Sequence, residues 1–193
     1  MKNDIILAGV GGQGILSIAA AIGLAAVNSN MYIKQAEVHG MSQRGGDVQS
    51  HLRISDKPIA SDLIPAGKAD MIISVEPMEG LRYLPFLGEN GWLVTNITPF
   101  NNIPDYPEAD ALMAKIKEVK KHIAIDADAL AKEAGSSRAS NIVMLGAASL
   151  FLDIPFEKIE EGIRQLFGRK GDEIVELNLK ALRMGREFSE KNR

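Results

Sequence analysis

The apolar positions of this chain follow two rhythms. Asp4 to Gly9 and Asp70 to Val75 are almost continuously apolar, the pattern of strands covered on both faces in a parallel sheet. Met31 to Glu37, Gly91 to Ile97 and His122 to Ile125 read as further strands. Val48 to Ile54 alternates, with Val48, Leu52 and Ile54 in phase, which marks a half-buried strand. Asp56-Lys57-Pro58 turns the chain, and Ile59 to Ile64 follows as a short strand or coil.

Elsewhere the period lengthens to that of a helix. Ile15 to Ser29 is rich in alanine, so it can pack closely on a sheet, and Asn28-Ser29-Asn30 stops it. Glu76-Pro77 closes the second continuous strand and opens a helix from Met78 to about Leu87. Pro99 to Pro107 holds three prolines and is a loop. Glu108 to Lys120 carries Leu112, Ile116 and Val119 on one stripe. From Asp126 onward only helices are expected. They span Ala127 to Ala134, Ser140 to Phe151 with Ser140 as cap, a helix opening at Pro155, and Asp172 to about Glu190.

This order predicts an α/β fold. It is a Rossmann-like layered domain with a mostly parallel, mixed sheet over about residues 1–126 and a helical region over about 127–193, all one domain. The helical region can pack on the sheet or reach a partner.

Composition narrows the function. The formal net charge is −3, without the basic footprint of a nucleic-acid binder. The short basic stretch Gly168-Arg169-Lys170-Gly171 reads as a solvated turn rather than a phosphate site. There are no cysteines, which removes disulfides, thiolate clusters, thiolate zinc and cysteine nucleophiles from this chain. No secretory pattern is visible, and the longest apolar stretch, Ile15 to Val27, is broken by Ser17 and Gly23 and too short for a bilayer. A cytoplasmic protein that binds neither membrane nor nucleic acid is expected.

Two glycine-bearing loops carry the candidate chemistry. Gly9-Val10-Gly11-Gly12-Gln13-Gly14 fits G-x-G-x-x-G between a strand and a helix, where glycines let backbone approach a phosphate and free helix N–H groups face the anion. Glu37, at the end of the second strand, stands where a ribose-binding acid would. Dinucleotide binding, another anionic ligand and a purely structural turn all remain open. The second loop, His39-Gly40-Met41-Ser42-Gln43-Arg44-Gly45-Gly46, sets an imidazole, an amide and a guanidinium close together. Arg44 either forks onto a phosphate or carboxylate, or pairs locally with Glu37 or Asp47. His39 has no nucleophile or metal cluster beside it in sequence, and His51 and His122 lie in strand-like stretches that suggest structural roles. If the first two strands are parallel neighbours, Gln13 and Arg44 converge on one anionic group or on the partner surface presenting it.

Taken together, Gly-Val-Gly-Gly-Gln-Gly and Glu-Val-His-Gly-Met-Ser-Gln-Arg-Gly-Gly resemble the gamma-type domain of the 2-oxoacid:ferredoxin oxidoreductases. The second motif is most similar to the small (beta) subunit of the indolepyruvate branch. Ala69-Asp70, Glu76-Pro77, Arg82-Tyr83-Leu84-Pro85, Asn141 and Met144-Leu145-Gly146-Ala147 extend the resemblance over nearly the whole chain. It implies a subunit of an oxidoreductase that oxidatively decarboxylates arylpyruvates to aryl-acetyl-CoA, with ferredoxin as electron acceptor. Thiamine diphosphate and iron–sulfur clusters are expected in a large (alpha) partner subunit, none in this chain, which would be inactive alone and could form a homodimer. The chain lacks both the Gly-Asp-Gly…Asn-Asn thiamine signature and any cysteine, as that division of labour requires. Coenzyme A at the subunit interface would be held by Gly11, Gly12, Gln13, Gly14, Arg44, Gly45, Gly46 and Asn141, none of them a proton-transfer residue. The competing readings are a free-standing NAD- or FAD-dependent oxidoreductase and a non-enzymatic regulatory module.

Overall fold

The computed structural model describes residues 1–39, 45–101 and 103–193. Six strands form one sheet: β1 (Lys2–Val10), β2 (Tyr32–His39), β3 (Asp47–Ser55), β4 (Ala69–Ser74), β5 (Leu87–Asn96) and β6 (His122–Ile125). Their order is β2-β3-β1-β4-β5-β6. β1, β4, β5 and β6 are parallel, and β3 is antiparallel to both β1 and β2. The sheet is therefore mostly parallel with one reversed strand, as the hydrophobic pattern predicts. The continuous apolar runs are the central strands: Ile5, Ile6 and Leu7 of β1 and Ile72 of β4 are completely buried.

β1 and β2 are not neighbours, because β3 lies between them. This corrects the condition under which the two loops were expected to meet. They still emerge at one edge of the sheet, because two antiparallel pairings in succession leave β2 running the same way as β1.

Helices α1 (Ile15–Val27), α4 (Ala127–Ala134), α5 (Ser140–Ser149), α6 (Phe156–Phe167) and α7 (Asp172–Asn192) share one large core with one face of the sheet. The opposite face carries a smaller core, where Ile6, Ile72 and Leu93 meet Ile64, Tyr83 of the turn after α2 (Pro77–Arg82) and Ile116 of α3 (Ala109–Glu118). The C-terminal helices are thus packed on the sheet: Leu179 and Leu182 of α7 are completely buried.

Three local expectations change. The helix expected from Met78 to Leu87 ends at Arg82 and is followed by a 3-10 turn, Leu84–Phe86. Pro85 lacks an N–H, and its ring would strike the carbonyl of Leu81 in a continuous helix. Ile59 to Ile64 forms no strand. Arg53 pins it by donating to the carbonyls of Ser61 and Leu63, and the buried Ile64 N–H donates to His51 Nδ1 at 2.9 Å. Ser140 does not cap α5: Ala139 holds the cap position without a side-chain bond, and Ser140 is the first helical residue.

Candidate anion-binding site

The glycine loop is stiffened from within. Gln13 N–H donates to the Val10 carbonyl at 3.1 Å, and Gln13 Oε1 accepts from Val10 N–H at 2.8 Å. Gly9 must be glycine because a Cβ there would lie 2.3 Å from Val75 Cγ2 and 2.9 Å from Ile15 Cδ1. Gly12 and Gly14 have φ of 101° and 81°, a left-handed region that other L-residues enter at a cost. Gly14 has no room for a side chain either, since a Cβ would meet Asn141 Nδ2 at 2.5 Å.

The second loop reaches the first through backbone. Gly11 N–H donates to the Gly46 carbonyl at 2.8 Å, and Gly45 N–H approaches the Gly11 carbonyl at 3.5 Å. Residues 40–44, including the candidate Arg44, lie outside the described residues. Of the expected ligand donors, Gly11 has thus spent its N–H on Gly46, and the Gln13 amide oxygen is spent on Val10. Gly12 and Gly14 keep N–H groups with no partner among the described residues.

Asn141, far away in sequence, is brought against this loop: its Nδ2 donates to the Gly14 carbonyl at 3.0 Å. The contact helps enclose a cavity of ≈ 640 Å³ outside the carboxyl end of β1, where open α/β sheets bind ligands. Gly12, Gly14 and Ser17 line it from the start of α1, Ser140 and Asn141 from the start of α5, and Ile174, Leu177 and Asn178 from the first turns of α7. α1 and α7 have no side-chain N-cap, whereas α5 continues a 3-10 turn, Ser137–Ala139, that Ser136 Oγ caps. The N–H groups of Gly12 and Gly14, without a partner among the described residues, and the positive end of α1 favour an anion.

Charge on the cavity wall reinforces this. Arg138 and Lys170 line it and, among the described residues, no carboxylate does, in a chain of net charge −3. The short basic turn is therefore exposed, as expected, yet it also contributes Lys170 to the cavity. Phe167 adds a half-buried aromatic face, with Lys170 Nζ 5.2 Å from its ring centroid. Sequence reading missed Arg138 and Phe167 and set Lys170 aside as part of a solvated turn, because the glycine loop they share the wall with lies more than a hundred residues away.

Glu37 does not form a dinucleotide site. It pairs across the sheet with Ser50 on β3, so it stands two strands away from β1, whereas a ribose-binding acid belongs on the strand beside the glycine loop. His51 is buried between Ile64 N–H and Gln49 Nε2, and burial lowers its pKa. His122 Nδ1 bonds the Val119 carbonyl. Both histidines are structural.

A second polar group at the same sheet edge explains three further sequence features. Glu76 is fully buried and caps α2 by accepting from Glu79 N–H at 2.8 Å, with Pro77 at the first helical position. Its other oxygen accepts from Tyr106 O–H and Phe100 N–H, tying down the proline-rich loop. Glu79, also buried, accepts from Arg82 Nε at 2.8 Å. Asp47 accepts from Tyr83 O–H at 2.6 Å and leaves its other oxygen buried without a partner. Burial pushes the Glu79 carboxyl up and Asp47 pushes it further, against the lowering effect of Arg82.

Fold and cavity together define an α/β domain with a cavity suited to an anion at the carboxyl end of its first strand. Among the described residues there is no cluster of three or more metal-ligating side chains, and no helix is long and apolar enough to cross a membrane. The model of the family described as pyruvate ferredoxin/flavodoxin oxidoreductase matches residues 4–188, and the chain belongs to this family. It is 40% identical to the indolepyruvate oxidoreductase subunit IorB of Archaeoglobus fulgidus, over 96% of this chain and 94% of that one. It is 36% identical to the subunit of the same name from Thermococcus kodakarensis, over 95% and 94%. Among solved structures, the gamma subunit of a keto/oxoacid ferredoxin oxidoreductase from Geobacter sulfurreducens matches with a TM-score of 0.72 and 25% identity, over 98% of this chain and 99% of that one. The 2-oxoglutarate:ferredoxin oxidoreductase of Magnetococcus marinus, solved with 2-oxoglutarate, coenzyme A and succinyl-CoA bound, shares the fold with a TM-score of 0.78 at 21% identity. That likeness covers all of this chain and 32% of that one.

Proposed function

We propose that this chain is the small subunit of an indolepyruvate:ferredoxin oxidoreductase and that its cavity receives the nucleotide end of coenzyme A. In the overall reaction the bond to the carboxylate of an arylpyruvate breaks and CO2 leaves. A thioester forms with coenzyme A, and two electrons pass to ferredoxin. The thiamine cofactor that makes such decarboxylation possible, and the clusters that carry the electrons, belong to a larger partner subunit. What supports a binding role for this chain is the cavity wall: the uncapped start of α1 with the N–H groups of Gly12 and Gly14, two cations and, among the described residues, no carboxylate.

In this reading the free N–H groups of Gly12 and Gly14 donate to a phosphate, and Gln13, Gly11, Gly45 and Gly46 hold the loop in shape. Asn141 fixes Gly14 from the other side. Arg44 is a further candidate contact to coenzyme A or to the partner. Ferredoxin is met through the partner, and self-association of the isolated chain is an expected substitute for the missing subunit.

Co-expression with the large subunit tests the assignment. The purified complex is expected to reduce ferredoxin with indolepyruvate only when coenzyme A is present, and the isolated chain is expected to show no turnover. Turnover by the chain alone, or a large subunit that neither binds this chain nor needs it, would overturn the proposal.

A further inference from the structure

The cavity has a cationic end that the glycine loop does not supply. Arg138 belongs to a 3-10 turn, Ser137–Ala139, held by Ser136 Oγ, which accepts from Arg138 N–H at 3.3 Å. Lys170 belongs to a second such turn, Gly168–Lys170, between α6 and α7. Neither side chain is held by a carboxylate, although Arg53, Arg82, Arg164, Arg183 and Arg186 each are. Both are exposed and line the same cavity as the glycine loop. A guanidinium and an ammonium without acidic partners, converging on a cavity, are ready to bind phosphate.

Coenzyme A carries anionic charge at two separate places on its nucleotide end, the 5′-diphosphate and the 3′-phosphate. The wall offers an anion two kinds of partner: fixed backbone N–H groups at Gly12 and Gly14, and side-chain cations at Arg138 and Lys170. Phe167 lies on the same wall, and the Lys170 ammonium stands over its ring, 5.2 Å from the centroid. At ≈ 640 Å³ the cavity falls within the usual size range for a bound nucleotide or other small ligand.

We propose that Arg138 and Lys170 read the 3′-phosphate, so that this small subunit sets the preference of the enzyme for coenzyme A over dephospho-coenzyme A. The proposal rests on the reading that coenzyme A enters this cavity.

Calorimetric titration of the two-subunit complex with coenzyme A and with dephospho-coenzyme A decides it. The wild-type complex binds coenzyme A about ten-fold more tightly, the ratio expected from one charge-assisted contact. Arg138→Ala with Lys170→Ala, both exposed positions, brings that ratio down toward one by weakening coenzyme A alone. Gly12→Val, which forces a branched side chain into a left-handed backbone, weakens both ligands. If Gly12→Val weakens both while the double variant leaves the ratio unchanged, coenzyme A uses the cavity but these two residues do not read its 3′-phosphate. An equal ratio in the wild type also overturns the proposal. If Gly12→Val and the double variant leave both affinities untouched, coenzyme A binds elsewhere and the underlying reading falls as well.

Discussion

At the scale of single residues, Glu79 shows how burial creates a property that its sequence neighbours do not announce. It sits 1% exposed beside Asp47, whose free oxygen is itself buried. Its carboxyl is raised above the ordinary value of 4.5 by burial first and by Asp47 second. A carboxyl raised in the folded state holds its proton more tightly there than in the unfolded chain. Its contribution to stability is complete below the unfolded value near 4.5 and is lost as pH rises through the folded value. Glu79→Gln keeps the shape and removes the titration. The variant is therefore expected to gain stability relative to wild type as pH rises above about 4.5, as read by urea melts of both proteins at each pH. A difference that does not change with pH would show that the Glu79 carboxyl is not raised in the folded protein. Asp4 behaves in the opposite way: burial pushes its carboxyl up, but Arg53 and Lys2 outweigh that and hold it low.

At the scale of elements, the closest contact is between α5 and α7. A Cβ on Gly146 would lie 1.9 Å from the Leu182 carbonyl oxygen, and one on Gly185 would lie 2.0 Å from that of Val143. Backbone therefore packs on backbone where the two helices cross, and neither side can yield by rotating a side chain. Gly146→Ala is expected to cost about 3 kcal/mol, the upper range for overpacking a dense interior, even though alanine is the better helix former. Gly168→Ala, where a Cβ meets nothing within 4 Å, is expected to change stability by no more than about 0.5 kcal/mol. Urea denaturation of both variants checks the pair, and similar losses in the two would refute the crossing as the cause.

At the scale of the whole molecule, the C-terminal helices are half of the main core. Val175, Leu179 and Leu182 of α7 are buried with Ile163 of α6 and Val143 of α5. Side chains of this kind contribute roughly 1.5–3 kcal/mol each when buried, and net domain stability is only about 5–15 kcal/mol. Removing residues 172–193 should therefore leave an unfolded or aggregated chain. Circular dichroism and gel filtration of the truncated protein test this, and a monomer with a cooperative melt would mean that the sheet domain stands alone. The cavity would also lose the wall formed by Ile174, Leu177 and Asn178.

The sequence by itself determined the α/β class, the approximate place of six strands (the fifth begins four residues earlier than its pattern suggests), the glycine loop and the family resemblance. Those features rest on short-range chemistry: runs of isoleucine and leucine long enough for one strand, a proline that cannot donate, glycines where φ is positive. Strand order came only with the tertiary structure, because the hydrophobic pattern of β2 is satisfied equally well beside β1 or beside β3. The same is true of the ligand wall. Gly14 and Asn141 meet across 127 residues of chain, and Arg138 and Lys170 reach one cavity from two separate turns. No local pattern records such a meeting, since it follows from how α1, α5 and α7 pack on the same face of the sheet.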